Sequence, residues 1–151
     1  MRARCGLLAA AMLAGVTALW SAPASAQALQ FFAVLEGGSE VTATTPATGD
    51  LNAYGTASVI LGAAGQLCYS ILIRNTDTPT AAHIHEANAG KIGGPVVTLT
   101  VPGSGNPGAV AGCLTGVSTA VIARLRMTPS KFYINIHTTA FPNGAARGQL
   151  F

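Results

Sequence analysis

Apolar residues in this chain alternate with polar or small ones in short runs, and glycine- and proline-rich punctuation separates the runs. Alternation puts every second side chain on one face of an extended chain. It predicts strands over 29–36, 53–61, 66–74, 80–86, 95–101, 109–114, 132–138 and 147–151. Gly62-Ala-Ala-Gly65, Gly93-Gly94, the stretch from Pro102 to Gly108, and Pro142-Asn-Gly144 read as turns between them. Ala57, Val59 and Leu61 stand against Leu67, Tyr69, Ile71 and Ile73 across the turn at 62–65, which predicts a hairpin. One run has a different period: Val121, Ile122 and Leu125 recur at helical spacing after Ser118, which predicts a short helix over 118–127 ending before Pro129. About eight short strands, one helix and no regular alternation of the two predict an all-β fold, an antiparallel sandwich or barrel.

The N-terminus departs from this pattern. Arg2 and Arg4 precede an apolar run from Leu7 to Trp20, and Ala24-Ser25-Ala26 follows, the layout of a secretory signal cleaved after residue 26. The run is 14 residues long, short of the roughly 18 to 20 that a membrane-spanning helix needs, and no later segment is long and apolar enough to span. Cys5 lies before the apolar run, so a lipidated cysteine at the cleavage point is not expected. The remaining 27–151 suit one domain. Loss of Arg2 and Arg4 lowers the formal charge from +3 to +1, which gives no support to a basic surface for nucleic acid, and no nucleic-acid partner is expected. The product is expected to be exported, to the periplasm or the cell exterior. Its two remaining cysteines, Cys68 and Cys113, read first as a disulfide, which on the loop-entropy account stabilises by about 4 kcal/mol. The rival reading, a pair of thiolate metal ligands, lacks any C-x-x-C spacing.

The chemistry concentrates in three histidines. His83 and His85 are two apart on one predicted strand and share a face, with Cα atoms about 6.5 to 7 Å apart. His137, on another strand, would complete a three-nitrogen set of the kind that suits zinc, copper, iron or nickel. The competing account is a polar cross-strand cluster without metal, each ring hydrogen-bonded to backbone or to Thr138, Asn135 or Glu86. Glu86 adjoins His85 and so points to the opposite face. Tyr133 and Asn135 share the face of His137 and are candidates for fixing a ring nitrogen. Glu36 and Glu40 flank a Thr-, Ala- and Gly-rich stretch, 37–49, that reads as a solvated loop. No Gly-x-Ser-x-Gly elbow, phosphate-cradling loop with lysine or paired carboxylate motif is present, so a hydrolase is not expected and no catalytic residue is assigned.

Several motifs together resemble the CHRD, or chordin-type, domain of exported bacterial proteins and of chordin. They are Phe31-Phe-Ala-Val-Leu-Glu-Gly-Gly-Ser-Glu-Val, Gly55-Thr-Ala, Leu67-Cys-Tyr, Ala82-His-Ile-His-Glu, Gly93-Gly-Pro-Val-Val, Tyr133-Ile-Asn-Ile-His-Thr and Pro142-Asn-Gly-Ala-Ala-Arg-Gly-Gln-Leu. The resemblance covers nearly all of 27–151 and implies an immunoglobulin-like β-sandwich or barrel, similar in outline to copper/zinc superoxide dismutases. His83-Ile-His85-Glu86 looks like the dismutase strand that supplies two copper ligands, and His137 could stand for a third. The bridging histidine and the zinc ligands of the dismutases have no counterpart, because no histidine is left over. Arg147 fits the CHRD terminal motif better than the dismutase anion-attracting arginine. The expectation is an exported binding or structural module with a candidate site for one copper or zinc ion at His83, His85 and His137. Its partner would be an unidentified protein or extracellular ligand. The alternative is a copper-dependent, superoxide-dismutase-like metalloenzyme. Oligomeric state is left open.

Overall fold

Over Leu29–Glu36, Tyr54–Leu61 and Leu67–Arg74, burial follows the alternation of the sequence. The computed structural model describes residues 28–42 and 48–151; the leader read at 1–26 lies outside the described residues. The strands are β1 (Leu29–Glu36), β2 (Tyr54–Leu61), β3 (Leu67–Arg74), β4 (Pro79–Glu86), β5 (Pro95–Leu99), β6 (Gly108–Leu114), β7 (Phe132–Thr138) and β8 (Ala146–Gln149). One helix, α1 (Thr119–Met127), lies between β6 and β7, and single 3-10 turns occupy Gly37–Ser39 and Pro129–Lys131. The expected strands and helix are all present, with ends displaced by no more than two residues.

The eight strands form one antiparallel sheet in the order β5-β4-β7-β8-β1-β2-β3-β6. The β2–β3 hairpin pairs as the glycine-bounded turn predicts, with Leu61 opposite Leu67 and Ala57 opposite Ile71. Between β8 and β1 the ladder narrows to Glu36 opposite Arg147, extended by reciprocal backbone bonds of 3.0 Å between Phe32 and Phe151. The sheet curls into a half-barrel there. The Tyr69 hydroxyl on β3 accepts a 2.8 Å hydrogen bond from the Thr100 N–H just beyond β5, which ties opposite ends of the sheet together. Inside the curl lies one core, in which Leu35, Val59, Ile71, Ile84, Ile134 and Leu125 are sealed from solvent.

Helix α1 closes the core with Val121, Ile122 and Leu125. The Ser118 side chain makes no capping bond; the carbonyl of Ser118 accepts from the Ile122 N–H at 3.0 Å. The helix is instead tied to β4 by Arg124, which donates to both Glu86 oxygens at 2.9 to 3.1 Å. Glu86 therefore points away from His85, as strand alternation requires. Cys68 and Cys113, directly opposite on β3 and β6, are joined as a disulfide, which removes the thiolate-ligand reading. Among the described residues no helix is long and apolar enough to cross a membrane.

Strand β7 is buried on both faces. Phe132, Ile134 and Ile136 face the core. The outer face, with Tyr133 and Asn135, lies beneath a roof made by 87–94, which is anchored by Gln149 Nε2 to the Ala87 carbonyl (2.8 Å) and Arg147 Nη1 to the Lys91 carbonyl (3.0 Å). The histidines open at the edge of that roof.

Candidate metal centre

Strand register brings the three histidines together. On the outer face of the sheet, His83 stands opposite Asn135, His85 opposite Tyr133, and His137 opposite Ala81. His137 is thus the diagonal neighbour of His83, close enough for the rings to meet. The ring centroids are 5.5 Å apart for His83 and His85, 5.2 Å for His83 and His137, and 6.2 Å for His85 and His137. One nitrogen from each ring falls within 4.8 Å of the other two.

Backbone carbonyls select which nitrogens face inward. His85 Nδ1 lies 2.8 Å from the Gly93 carbonyl and His137 Nδ1 lies 3.0 Å from the Pro142 carbonyl. A carbonyl only accepts, so in the neutral form of each ring Nδ1 carries the proton and Nε2 keeps a lone pair. His83 Nδ1 faces His137 Nε2 at 3.3 Å. Two donors about 2.05 Å from a tetrahedral zinc stand roughly 3.3 Å apart, so this pair already has ligand spacing. Without an ion, His83 Nδ1–H would donate to His137 Nε2 and satisfy that pair alone. His85 Nε2 is the discriminating atom: it is buried and has no hydrogen-bond partner among the described residues. A buried polar atom left unpaired costs about 1 to 3 kcal/mol, a cost that an ion shared with the two neighbouring imidazoles would relieve at His85 Nε2.

Electrostatics favour the same state. Burial holds His83 below the ordinary imidazole value, and the nearby His137 lowers it further. Burial likewise lowers His85, against an opposing pull from its bond to the Gly93 carbonyl, while His83, His137 and Arg147 add to the lowering. Both rings are therefore neutral at pH 7, the form that binds a metal. His85 is buried, whereas His83 and His137 are partly exposed and leave one side of the cluster open to solvent.

A stacked column supports His85. Its ring lies 4.8 Å from the Tyr133 ring at 12°, and the Arg147 guanidinium carbon sits 3.5 Å from the centroid of Tyr133. The Tyr133 hydroxyl accepts from the Gly93 N–H at 3.2 Å and lies 3.4 Å from the Gly93 carbonyl oxygen, the group that fixes His85. Gly93 must be glycine, since a Cβ there would collide with the Glu86 carbonyl. Tyr133 thus acts by stacking and through Gly93, not by a bond to His137. Asn135 is buried, makes no hydrogen bond to any histidine, and leaves its Oδ1 without a partner among the described residues.

Glu40 corrects the solvated-loop reading. Its side chain is buried, pushed up to about 7 by burial against the opposing pull of Arg147. Residues 43–47 of that loop lie outside the described residues. The carboxyl group packs on Gly144, whose φ of 137° and missing side chain leave room for it. Sequence reasoning also left Arg147 without a role. The buried Glu40 and Arg147 lie far apart in sequence, and the only local signal was the cluster of glycines around them.

Residues 31–150 match the model of the CHRD domain family. No curated protein and no solved structure matches the chain. The match takes in β2 to β8, all but the first two residues of β1, the disulfide and all three histidines. The motifs that suggested the likeness thus lie within one continuous domain, and the chain belongs to the CHRD domain family.

Proposed function

We propose that this CHRD domain is a binding module whose ligand is one divalent transition-metal ion, zinc or copper, held by His83 Nδ1, His85 Nε2 and His137 Nε2. The observation that carries the reading is the buried, partnerless Nε2 of His85 beside the 3.3 Å pair formed by the other two rings. An all-imidazole set suits zinc or copper, and the carbonyls of Gly93 and Pro142 orient two of the rings as outer partners of metal-bound histidines do. The third nitrogen stands up to 4.8 Å from its fellows, so the rings would close by up to roughly 1.5 Å to share an ion.

The test is metal retention. Protein loaded with zinc or copper and then desalted should keep close to one ion per chain, and the double variant His83→Ala, His85→Ala close to none. Equal and negligible retention by both would refute the proposal.

A copper-dependent, dismutase-like enzyme is the second reading. It is favoured by the open side of the cluster at His83 and His137, where a fourth ligand position faces solvent. Bound copper would supply one-electron chemistry there. Copper-loaded protein that removes superoxide no faster than a variant lacking all three histidines excludes the enzyme and leaves the binding module. The reading also includes export, supported by the N-terminal leader pattern and the disulfide, and an extracellular or periplasmic site of action.

A further inference from the structure

The curled sheet has a second outer face, remote in the strand order from the histidines, formed by β1, β2, β3 and β6. Its cross-strand rows are Phe32–Ser58–Ser70–Ala111 and Val34–Thr56–Leu72–Ala109, closed at one end by Glu36–Tyr54–Arg74. Phe32, Val34, Tyr54, Leu72 and the flanking Phe151 are each between 37% and 69% exposed, and the Phe151 ring packs 6.4 Å from that of Phe32. Such an array exceeds the scattered single apolar residues of an ordinary surface. Four strands at about 4.8 Å spacing and eight residues at about 3.3 Å rise give roughly 500 Å² in projection. Side-chain relief brings the accessible area towards the roughly 800 Å² that each partner of a stable interface buries.

The charges identify the occupant. On these four strands only Glu36 and Arg74 present charge to the outer face. They sit at the same end, on either side of Tyr54, and among the described residues they form no ion pair with each other. A two-fold axis lying along β2 between two such faces would set Glu36 of one copy against Arg74 of the other at both ends of the row. It would also set Tyr54 against its own counterpart and Val34 against Leu72. A lipid surface would call for several cations and no acid, and this face offers one of each. We propose that the protein is a two-fold homodimer packed face to face through β1, β2, β3 and β6, with reciprocal Glu36–Arg74 pairs at the end of an apolar interface. The proposal is independent of the metal site.

The test is a charge exchange, read by sedimentation or light scattering on protein recovered after export, from roughly 1 to 100 μM. Wild type should show twice the mass of one chain. Glu36→Arg and Arg74→Glu, each alone, bring like charges together and should weaken self-association at least tenfold, with unchanged circular dichroism. An equimolar mixture of the two variants should return to the doubled mass, because the new arginine of one meets the new glutamate of the other. Wild type that remains a single chain across the range overturns the proposal, even if a vesicle or a foreign protein binds the same face. A mixture that stays monomeric overturns the two-fold pairing.

Discussion

Replacing Glu40 by glutamine removes a carboxyl that is 2% exposed and whose titration is pushed from 4.5 to about 7. Because the folded-state value is raised, the folded chain holds a proton that the unfolded chain has already released between those limits. The Glu40 contribution to stability is therefore fully present below about pH 4.5 and is lost as the pH rises through about 7. At about 1.4 kcal/mol per pH unit, the gap is worth about 3 kcal/mol. Glutamine has nearly the same shape and does not titrate, so Glu40→Gln should match wild type in acid and exceed it by about 3 kcal/mol at pH 8. Urea unfolding of both proteins across this range reads the difference directly. His83 and His85 also titrate here, with the opposite sign: burial lowers them, so their contribution is lost as the pH falls below about 6.5. Both proteins carry them, and they cancel in the difference. A difference that stays flat with pH would refute the assignment of Glu40 as a buried, proton-holding carboxyl.

Two further outcomes follow from the site and the sheet. Metal uptake should be full at pH 7 and fade on acidification with a midpoint below the roughly 6.5 of a free imidazole, since burial holds His83 and His85 down; equilibrium dialysis across pH checks this, and uptake independent of pH would place the ion elsewhere. Replacing both Cys68 and Cys113 by serine opens a loop with a sequence separation of 45 and should cost about 4 kcal/mol in urea unfolding; unchanged stability would show that the link constrains little.

β1, β2 and β3 were legible because only one face of each is buried, so alternation in sequence and burial in space are the same pattern, whereas in β7, buried on both faces, they are not. The helix was legible because Val121, Ile122 and Leu125 must all reach one core. His83 and His85 could be placed on one face by spacing alone, while the approach of His137 depended on a β4–β7 register that sequence does not encode locally. Three features escaped. The ring nitrogens are held by the carbonyls of Gly93 and Pro142, and backbone groups leave no residue-type signature. Tyr133 and Arg147 form a stacked column that requires β7 and β8 to be neighbours. Glu40 looked solvated because a loop composition reports nothing about the distant Arg147 and Gly144 that enclose it.

Convergence of three imidazoles on one ion through specified nitrogens can be read most directly from nitrogen-15 correlation spectra of the histidine rings recorded while zinc is added. His83 Nδ1, His85 Nε2 and His137 Nε2 should shift together and saturate at one ion per chain, while Nδ1 of His85 and of His137 stay protonated. Shifts confined to one or two rings, or continuing well past one equivalent, would rule out a shared ion.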